Sequence, residues 1–549
     1  MLAGANNGIL HAFKTSDGEE LWGYIPPNVL GNLEKIPSSK ANSTNPIYGI
    51  DGSPVVKDIY FDDTPDDSTN NPRWRTILLG GLGAGGKGLY AIDITDVNNP
   101  THLFAISNDE SNKAIQHWDV DGLKSEFGYR GGSSLDPKYD YRKLGETWST
   151  PRIIRIKVSG KDKWVAVFGG GYNGAVNPNY GSAVFVMDIE DEGRLLKVID
   201  IEDKSKQSYG WGGTLSGRVG GILTNNNTVF KVSVWNPNVK YDISKGESLT
   251  AEFTPPVGHT ITYSTSGNIV TVTKVTFDAS WPCTLGGSCT GTVKFRRFSN
   301  DIVNSLPADL SVITADGTDK ANYDGAIVYA TDLEGKLTKV NLTESFSLIC
   351  PSGKTCNKDT DKVIKNISAT TLFIAESTSE NGRYIYTRPE VTINNDNKLW
   401  LYFGTGNTQK LHEQSNKIQN RAYGIKDKDF PNYVNISTPG DIRRCKTAPT
   451  CPGDTDLGWY ANLPRAQKLT AEPTIDKDRV YFPIYEPTTS TNACNTGKAI
   501  LTAYDTKCGN SVLNVHLGTG VLSKVVVQGD NQDHVPRLII GVSYCLAGI

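Results

Sequence analysis

Two short phrases alternate along this chain, and that alternation restricts the possible folds more than any other feature. The first is an apolar strand holding a Gly or Ala, an aromatic or Leu, and often a closing Asp. It reads Gly-Ile-Leu-His-Ala-Phe at 8–13, Gly-Leu-Tyr-Ala-Ile-Asp at 88–93 and Ala-Val-Phe-Val-Met-Asp at 183–188. Further copies stand at 335–341, 421–427 and 499–505. A turn and a second strand follow, most clearly from Thr15 to Trp22. The second phrase is a Pro-led strand, a turn and a strand ending in glycines. Its copies begin at Pro54, Pro151, Pro389 and Pro473 and run on to Gly80-Gly81, Gly169-Gly170, Gly404 and Phe482. Pro is tolerated at the first residue of a strand, where its missing N–H costs no ladder bond. Two hairpins in fixed order make a four-stranded blade, and repetition of such units predicts a propeller.

Successive anchors of the first phrase are Phe13, Tyr90, Phe185, Leu337, Tyr423 and Tyr504, and the Phe185 to Leu337 interval is far longer than the rest. The expected fold is therefore all-β: a modified β-propeller of seven blades, mostly four-stranded, with an inserted β-rich appendage. The long interval is expected to hold both a concealed blade around Val219 to Val234 and the insertion. Thr/Val alternation from Thr260 and from Ile269 marks the appendage as 241–298. Residues 1–240 then form the first part of the propeller. Residues 299–549 form the second part, with strands after 512 closing the ring, because an open sheet exposes pairing edges. No long amphipathic helix is expected.

The chain carries 56 Lys+Arg against 59 Asp+Glu, a formal net charge of −3, with no extended basic block. That balance gives no electrostatic footprint for nucleic acid or anionic membrane. The longest apolar runs, such as Trp164–Phe168 and Leu538–Val542, are strand-sized, well short of the ~20 residues a spanning helix needs. The first residues lack the charged start and apolar core of a signal peptide. They read as the interior of an element, as in a chain cut from a longer protein.

Nine cysteines include three pairs with one spacing, Cys283/Cys289, Cys350/Cys356 and Cys445/Cys451. Each lies in a loop rich in Gly, Pro, Ser or Thr. Cys494/Cys508 is a fourth possible pair, leaving Cys545. Nearby thiols in such loops, without CxxC spacing, suggest disulfides in an oxidising compartment rather than zinc.

Three stretches carry a family resemblance: Gly4 to Phe13, Leu79 to Asp93 with six glycines between 80 and 88, and Glu146-Thr147-Trp148-Ser149-Thr150-Pro151-Arg152. They resemble the C-terminal propeller of PilC/PilY-type type IV pilus proteins. Arg388-Pro389-Glu390, Phe403 to Asn407 and Tyr329 to Gly335 are similar too. The resemblance implies an exported, non-enzymatic protein at the pilus tip or outer membrane, without a membrane span in this chain. It implies a role in extending pili against retraction and in adhesion, with minor pilins and a host cell-surface receptor as partners. It also implies an N-terminal region outside this chain, von Willebrand A-like in some members. Some relatives carry an Arg-Gly-Asp tripeptide; this chain has none.

Relatives can also carry a calcium loop before the strand matching Tyr329 to Leu333. Calcium takes six to eight oxygens on a tight loop. Here Asp316, Thr318, Asp319, Asn322 and Asp324 are the candidate ligands. Lys320 occupies a ligand position, and a solvated Asp/Gly/Asn turn is the competing reading. The cluster Asp62, Asp63, Asp66 and Asp67 lacks fixed ligand spacing and reads as a solvated loop. The run Gly80–Gly88 leads into a strand, whereas phosphate loops need a following helix, so it reads as a turn between strands. The seven His show no ligand spacing and no GxSxG elbow is present. A rival class is a quinoprotein dehydrogenase, because Thr15-Ser16-Asp17-Gly18-Glu19-Glu20-Leu21-Trp22 resembles the docking phrase of pyrroloquinoline quinone propellers. Those proteins repeat the phrase in most blades; here it occurs clearly once and no two cysteines are adjacent. Recognition loops are expected in the appendage and near 350–356 and 445–451, because binding residues concentrate on loops held by a rigid scaffold.

Overall fold

Short apolar runs bounded by turns form strands throughout. The computed structural model describes residues 1–33, 47–61, 74–129, 135–158, 161–172, 180–201, 305–314, 325–342, 368–375, 377, 381–394, 398–488, 496–528 and 537–543. It also describes the strands within 211–298. The chain divides into two units. The first holds Met1–Asn173, Asn179–Ile201 and Asn304–Ile549; the second holds Gly174–Pro178 and Glu202–Val303, which includes the segment 241–298.

In the first unit, β1 (Leu2–Gly4), β2 (Leu10–Phe13) and β3 (Glu20–Tyr24) form one antiparallel sheet. The next contains β4 (Val55–Tyr60), β5 (Trp74–Gly81), β6 (Gly88–Asp93) and β7 (Thr101–Asp109), and the hairpin β8 (Ala114–Trp118) and β9 (Lys124–Gly128) extends it to six strands. β10 (Arg152–Val158), β11 (Lys161–Gly169), β12 (Ala183–Asp188) and β13 (Leu195–Asp200) make the third.

The second unit holds β14 (Trp211–Arg218), β15 (Phe230–Trp235), β16 (Lys240–Asp242), β17 (Ser248–Thr254), β18 (His259–Ser266), β19 (Ile269–Ala279) and β20 (Ser288–Phe298). Its two sheets run β14-β20-β17 and β15-β19-β16, with β18 also on β19.

The first unit resumes with β21 (Ser311–Thr314), β22 (Ala326–Thr331), β23 (Lys336–Asn341) and β24 (Ser368–Ile374). After them come β25 (Glu390–Ile393), β26 (Leu399–Gly404), β27 (Arg421–Asp427), β28 (Cys445–Thr447) and β29 (Gly458–Asn462), ordered β25-β26-β27-β29-β28. β30 (Lys468–Leu469), β31 (Thr474–Asp476), β32 (Arg479–Glu486), β33 (Lys498–Asp505) and β34 (Ser511–Thr519) form the sixth sheet. β35 (Val521–Leu522), β36 (Val526–Gln528), β37 (Arg537–Ile539) and β38 (Val542–Ser543) pair as β35–β38 and β36–β37.

Both faces of the middle strands are apolar because consecutive sheets stack face to face. Strand side chains alternate between faces. In β11, Ala166 and Phe168 enter a cluster shared with Ile77, Leu79 and Leu89 of the preceding sheet. Val165 and Val167 enter another, shared with Ala326, Val328 and Ala330 of the following sheet. The same arrangement joins the next sheets through Tyr329, Phe403 and Tyr423, and then through Tyr402, Trp459 and Phe482. Burying a side chain of this size stabilises by ~1.5–3 kcal/mol each, so the stacked faces are the main source of cohesion.

The recurring phrase has a structural reason. A bulge interrupts the ladder between the third strand and its outer neighbour at Ala12/Phe13, Ala91/Ile92, Val186/Met187, Leu337/Thr338 and twice on β33. Bulges increase the local right-handed twist. The closing aspartate caps the turn that follows: Asp93, Asp188, Asp427 and Asp505 each accept the amide N–H two residues on, at 2.9–3.2 Å. This is the side-chain turn that Asp forms readily.

Two expectations are corrected. The stretch expected as a concealed blade contains β15, which belongs to the second unit and pairs with β19 from Phe230↔Ala279 to Trp235↔Lys274. The Thr/Val run that marked the appendage forms an eleven-residue strand, and it takes β15 as its partner. The expected Cys445/Cys451 and Cys494/Cys508 pairs are replaced by Cys451–Cys508, with Cα atoms 4.2 Å apart, while Cys445 is a free thiol. The ladder Cys445↔Gly458 packs Cys445 against the cluster of Leu457 and Phe430. Cys451 is instead bonded to Cys508 in the β33–β34 turn, which the Asp505 carboxylate holds through the Cys508 and Asn510 N–H groups. Burial pushes the Cys445 thiol up to about 12, with Asp441 and Asp456 adding to the shift. The Cys283, Cys350, Cys356, Cys494 and Cys545 positions lie outside the described residues, as does the Cys289 side chain.

Candidate functional site: a charged hub and a glycine-clamped cleft

The candidate calcium ligands Asp316, Thr318, Asp319, Asn322 and Asp324 lie outside the described residues, in the connection between β21 and β22. The acidic cluster 62–67 lies outside them too, in the corresponding connection between β4 and β5. Among the described residues, no group of three or more His, Cys, Asp or Glu is placed to hold a metal.

What the structure does bring together is a set of charges at the starts of the Pro-led inner strands. Glu472 receives two cations, Arg388 Nε at 3.0 Å and Lys524 Nζ at 3.0 Å. Lys524 also reaches Glu390 at 3.5 Å, and Arg388 lies 4.0 Å from the same carboxylate. Nearby, Asp309 accepts the Thr150 N–H at 2.7 Å and lies 3.8 Å from Arg152. Burial raises the Asp309 carboxyl, the Thr150 amide opposes that, and Glu472 adds to the rise. Three carboxylates meet three cations, so the hub is neutral and its acids are already partnered. It ties inner strands of different sheets together. Because Pro389 and Pro473 lack N–H groups, the strand starts add no unpaired donor.

The run Gly80–Gly88 has a different role, close backbone packing. A Cβ on Gly85 would stand 1.8 Å from the Gly49 carbonyl oxygen, and one on Gly81 would stand 2.8 Å from that of Thr147. The Thr147 hydroxyl accepts the Leu82 N–H at 2.7 Å and donates to the Gly88 carbonyl at 2.8 Å. The Leu82 carbonyl accepts the Asp51 N–H at 3.1 Å. The strand β6 follows this loop, as its sequence context implied.

Beside the clamp, residues Leu2–Asn6 and Ile50–Pro54 line an open polar cleft of about 380 Å³. Glu146 lies close by, its carboxyl raised by burial and by Asp51, while the Trp148 indole N–H at 3.1 Å and Lys87 oppose the shift. Trp148 stacks on Tyr172 at 4.1 Å, and Lys87 pairs with Glu110 at 2.5 Å. A further buried cation, Lys468, donates to the Leu411 and Glu413 carbonyls at 2.8 and 2.7 Å; burial lowers its ammonium to about 8. It fixes the excursion between β26 and β27. None of these groups forms a nucleophile–base pair.

The hub and the Lys468 clasp escaped sequence reading, because each joins groups from distant segments. The Pro-led phrase was the available signal for the hub: Arg152, Arg388, Glu390 and Glu472 all adjoin its prolines.

With this geometry in place, the comparisons with known proteins are informative. Residues 1–213 match the family model described as PilY1 beta-propeller domain. The chain is 23% identical over 93% of its length to a Type IV pilus biogenesis factor PilY1 homolog of Xylella fastidiosa, covering 26% of that protein. It is 30% identical over 37% of its length to the Type IV pilus biogenesis factor PilY1 of Pseudomonas aeruginosa, covering 13% of it. The chain thus spans about a quarter or less of these relatives. The crystal structure of the Pseudomonas aeruginosa PilY1 C-terminal domain is similar in fold, with a TM-score of 0.51 at 16% identity, over 98% of this chain and 90% of that one. Over residues 1–213 the chain is thus similar to the PilY1 beta-propeller domain.

Proposed function

We propose that this chain is the propeller of a non-enzymatic type IV pilus biogenesis factor, acting outside the cell with minor pilins at the pilus tip. In this reading it favours pilus extension over retraction. The observation that supports it is the alignment over 93% of the chain with a relative named for pilus biogenesis. Among the described residues, no helix is long and apolar enough to cross a membrane. A rigid stack of sheets presents loops, and binding residues concentrate on loops held in this way. Host-cell attachment through the appendage 241–298 belongs to the same reading, as does a calcium response in the 314–325 connection through Asp316, Thr318, Asp319, Asn322 and Asp324.

The test is deletion of this chain from its full-length protein in the native strain. Surface pili are expected to fall at least tenfold and to return when the retraction motor is also inactivated. Unchanged piliation would refute the biogenesis role. Removal of the whole segment Glu202–Val303, which keeps the strand pairs β14–β20 and β15–β19 from being split, is expected to lower host-cell adhesion while pili persist. Titration calorimetry with calcium addresses the remaining part: no heat at millimolar calcium removes the ion from the proposal.

A further inference from the structure

Among the described residues, the outermost strands of the first unit's six large sheets are protected in different ways, with one exception. β9 carries Lys124 and Glu126, and β13 carries Lys197. β24 is covered by a loop: Gly440 N–H donates to the Leu372 carbonyl at 3.0 Å and Ile374 N–H to the Gly440 carbonyl at 2.9 Å. β3 contains Glu20, and β28 is three residues long. Charges, covering loops and brevity are the usual means of keeping a sheet edge from pairing. Among the described residues β34 has none of these three, and only two bulges, a further device, interrupt its ladder to β33. It is nine residues long, reads Ser-Val-Leu-Asn-Val-His-Leu-Gly-Thr, and contains no Lys, Arg, Asp, Glu or Pro. Val512, Val515 and Leu517 are 44%, 38% and 36% exposed. Among the described residues, its backbone ladder runs to β33 alone.

We propose that the free edge of β34 is a contact between two copies of this chain, paired antiparallel about a two-fold axis at Val515. The sequence of the strand argues for a second copy as the occupant. In that register Val515 faces its own equivalent, Leu513 faces Leu517, Asn514 faces His516 and Ser511 faces Thr519. Apolar residues meet apolar ones and polar residues meet polar ones, with no like-charged carboxylates or ammonium groups opposed. Cross-strand pairs of this kind are the unit of sheet stabilisation, and a two-fold contact requires such self-complementarity. The two bulges towards β33 leave Val512 and Leu517 as the extra residues and Leu513–His516 in regular register. Bulges twist an edge and shorten what it can pair. The contact is therefore small and transient. It is independent of the pilus reading, since it rests on the strand alone.

Sedimentation velocity on the whole chain, from micromolar to submillimolar concentration where weak affinities are resolved, tests it. A concentration-dependent dimer is expected, with Val515→Lys weakening association at least tenfold by opposing two like charges across the axis. Val515 is exposed, so the variant should keep the parent's thermal unfolding profile. Amide hydrogen exchange in 511–519 should slow as concentration rises. A monomer throughout the range would overturn the proposal, as would a dimer that Val515→Lys leaves unchanged. Protection of 511–519 at every concentration would also overturn it, since this chain's own residues would then cover the edge.

Discussion

Replacing Lys339 by Met should destabilise the protein by about 3–5 kcal/mol, because it breaks a buried ion pair and leaves one charge unmatched. Lys339 on β23 and Asp427 at the end of β27 are each 1% exposed at the side chain, with Nζ and Oδ2 2.6 Å apart. The Tyr329 hydroxyl donates to the same oxygen at 2.6 Å, and the Lys339 ammonium also donates to the Asn432 carbonyl at 2.9 Å. The group therefore joins two neighbouring sheets from inside their shared core. With the lysine gone, the carboxylate keeps one hydroxyl donor and its turn N–H but no opposite charge. The double variant Lys339→Met/Asp427→Leu removes both charges and should recover most of the loss, since buried pairs exchange for apolar ones at little cost. Equilibrium urea unfolding of the single and double variants measures the coupling directly. A single variant within ~0.5 kcal/mol of the parent, the range of ordinary surface substitutions, would refute the structural role.

Lys339 also shows where sequence reading stops. Lys-Leu-Thr-Lys-Val-Asn looks like a strand with one solvated face, yet all six residues of β23 are buried. Alternation reports polarity, and a polar residue can face another sheet if that sheet supplies a partner. The partner here is 88 positions downstream in the chain, at Asp427. The same limit governs the cysteines. Equal spacing suggested Cys445/Cys451, but local spacing does not encode which loop a thiol meets once β28 has turned Cys445 inward. It also governs the interval between Phe185 and Leu337, where a strand suited to a blade is equally suited to β19. Strand-rich architecture and its repeat were legible because they depend on local signals: Pro at strand starts, paired glycines at strand ends and Asp at the turns. The charged hub was hidden because Arg152, Asp309, the Arg388–Glu390 segment, Glu472 and Lys524 are far apart in the chain and become neighbours only after the sheets stack.

Gly85→Ala puts the most specific stretch of the sequence to a severe test. The expected loss is at least ~4 kcal/mol, in the range reserved for a few identifiable mechanisms such as overpacking. The new Cβ would meet the Gly49 carbonyl oxygen at 1.8 Å, the Gly49 carbonyl carbon at 2.7 Å and the Leu82 carbonyl oxygen at 2.9 Å. All three obstacles are backbone, so no side chain can rotate away. Relief requires the loop to retreat from 49–52, which would pull on the Asp51 N–H to Leu82 carbonyl bond and on the two hydrogen bonds at Thr147. The control is Gly128→Ala, on the outer strand β9, where a Cβ would meet nothing within 4 Å. That change should be neutral or slightly stabilising, because Ala loses less conformational freedom on folding than Gly. Thermal and urea unfolding of the two variants separate close packing from a general intolerance of lost glycine. If Gly85→Ala proved as harmless as Gly128→Ala, the glycine run would be a permissive turn and not the clamp that joins 49–52 to Thr147.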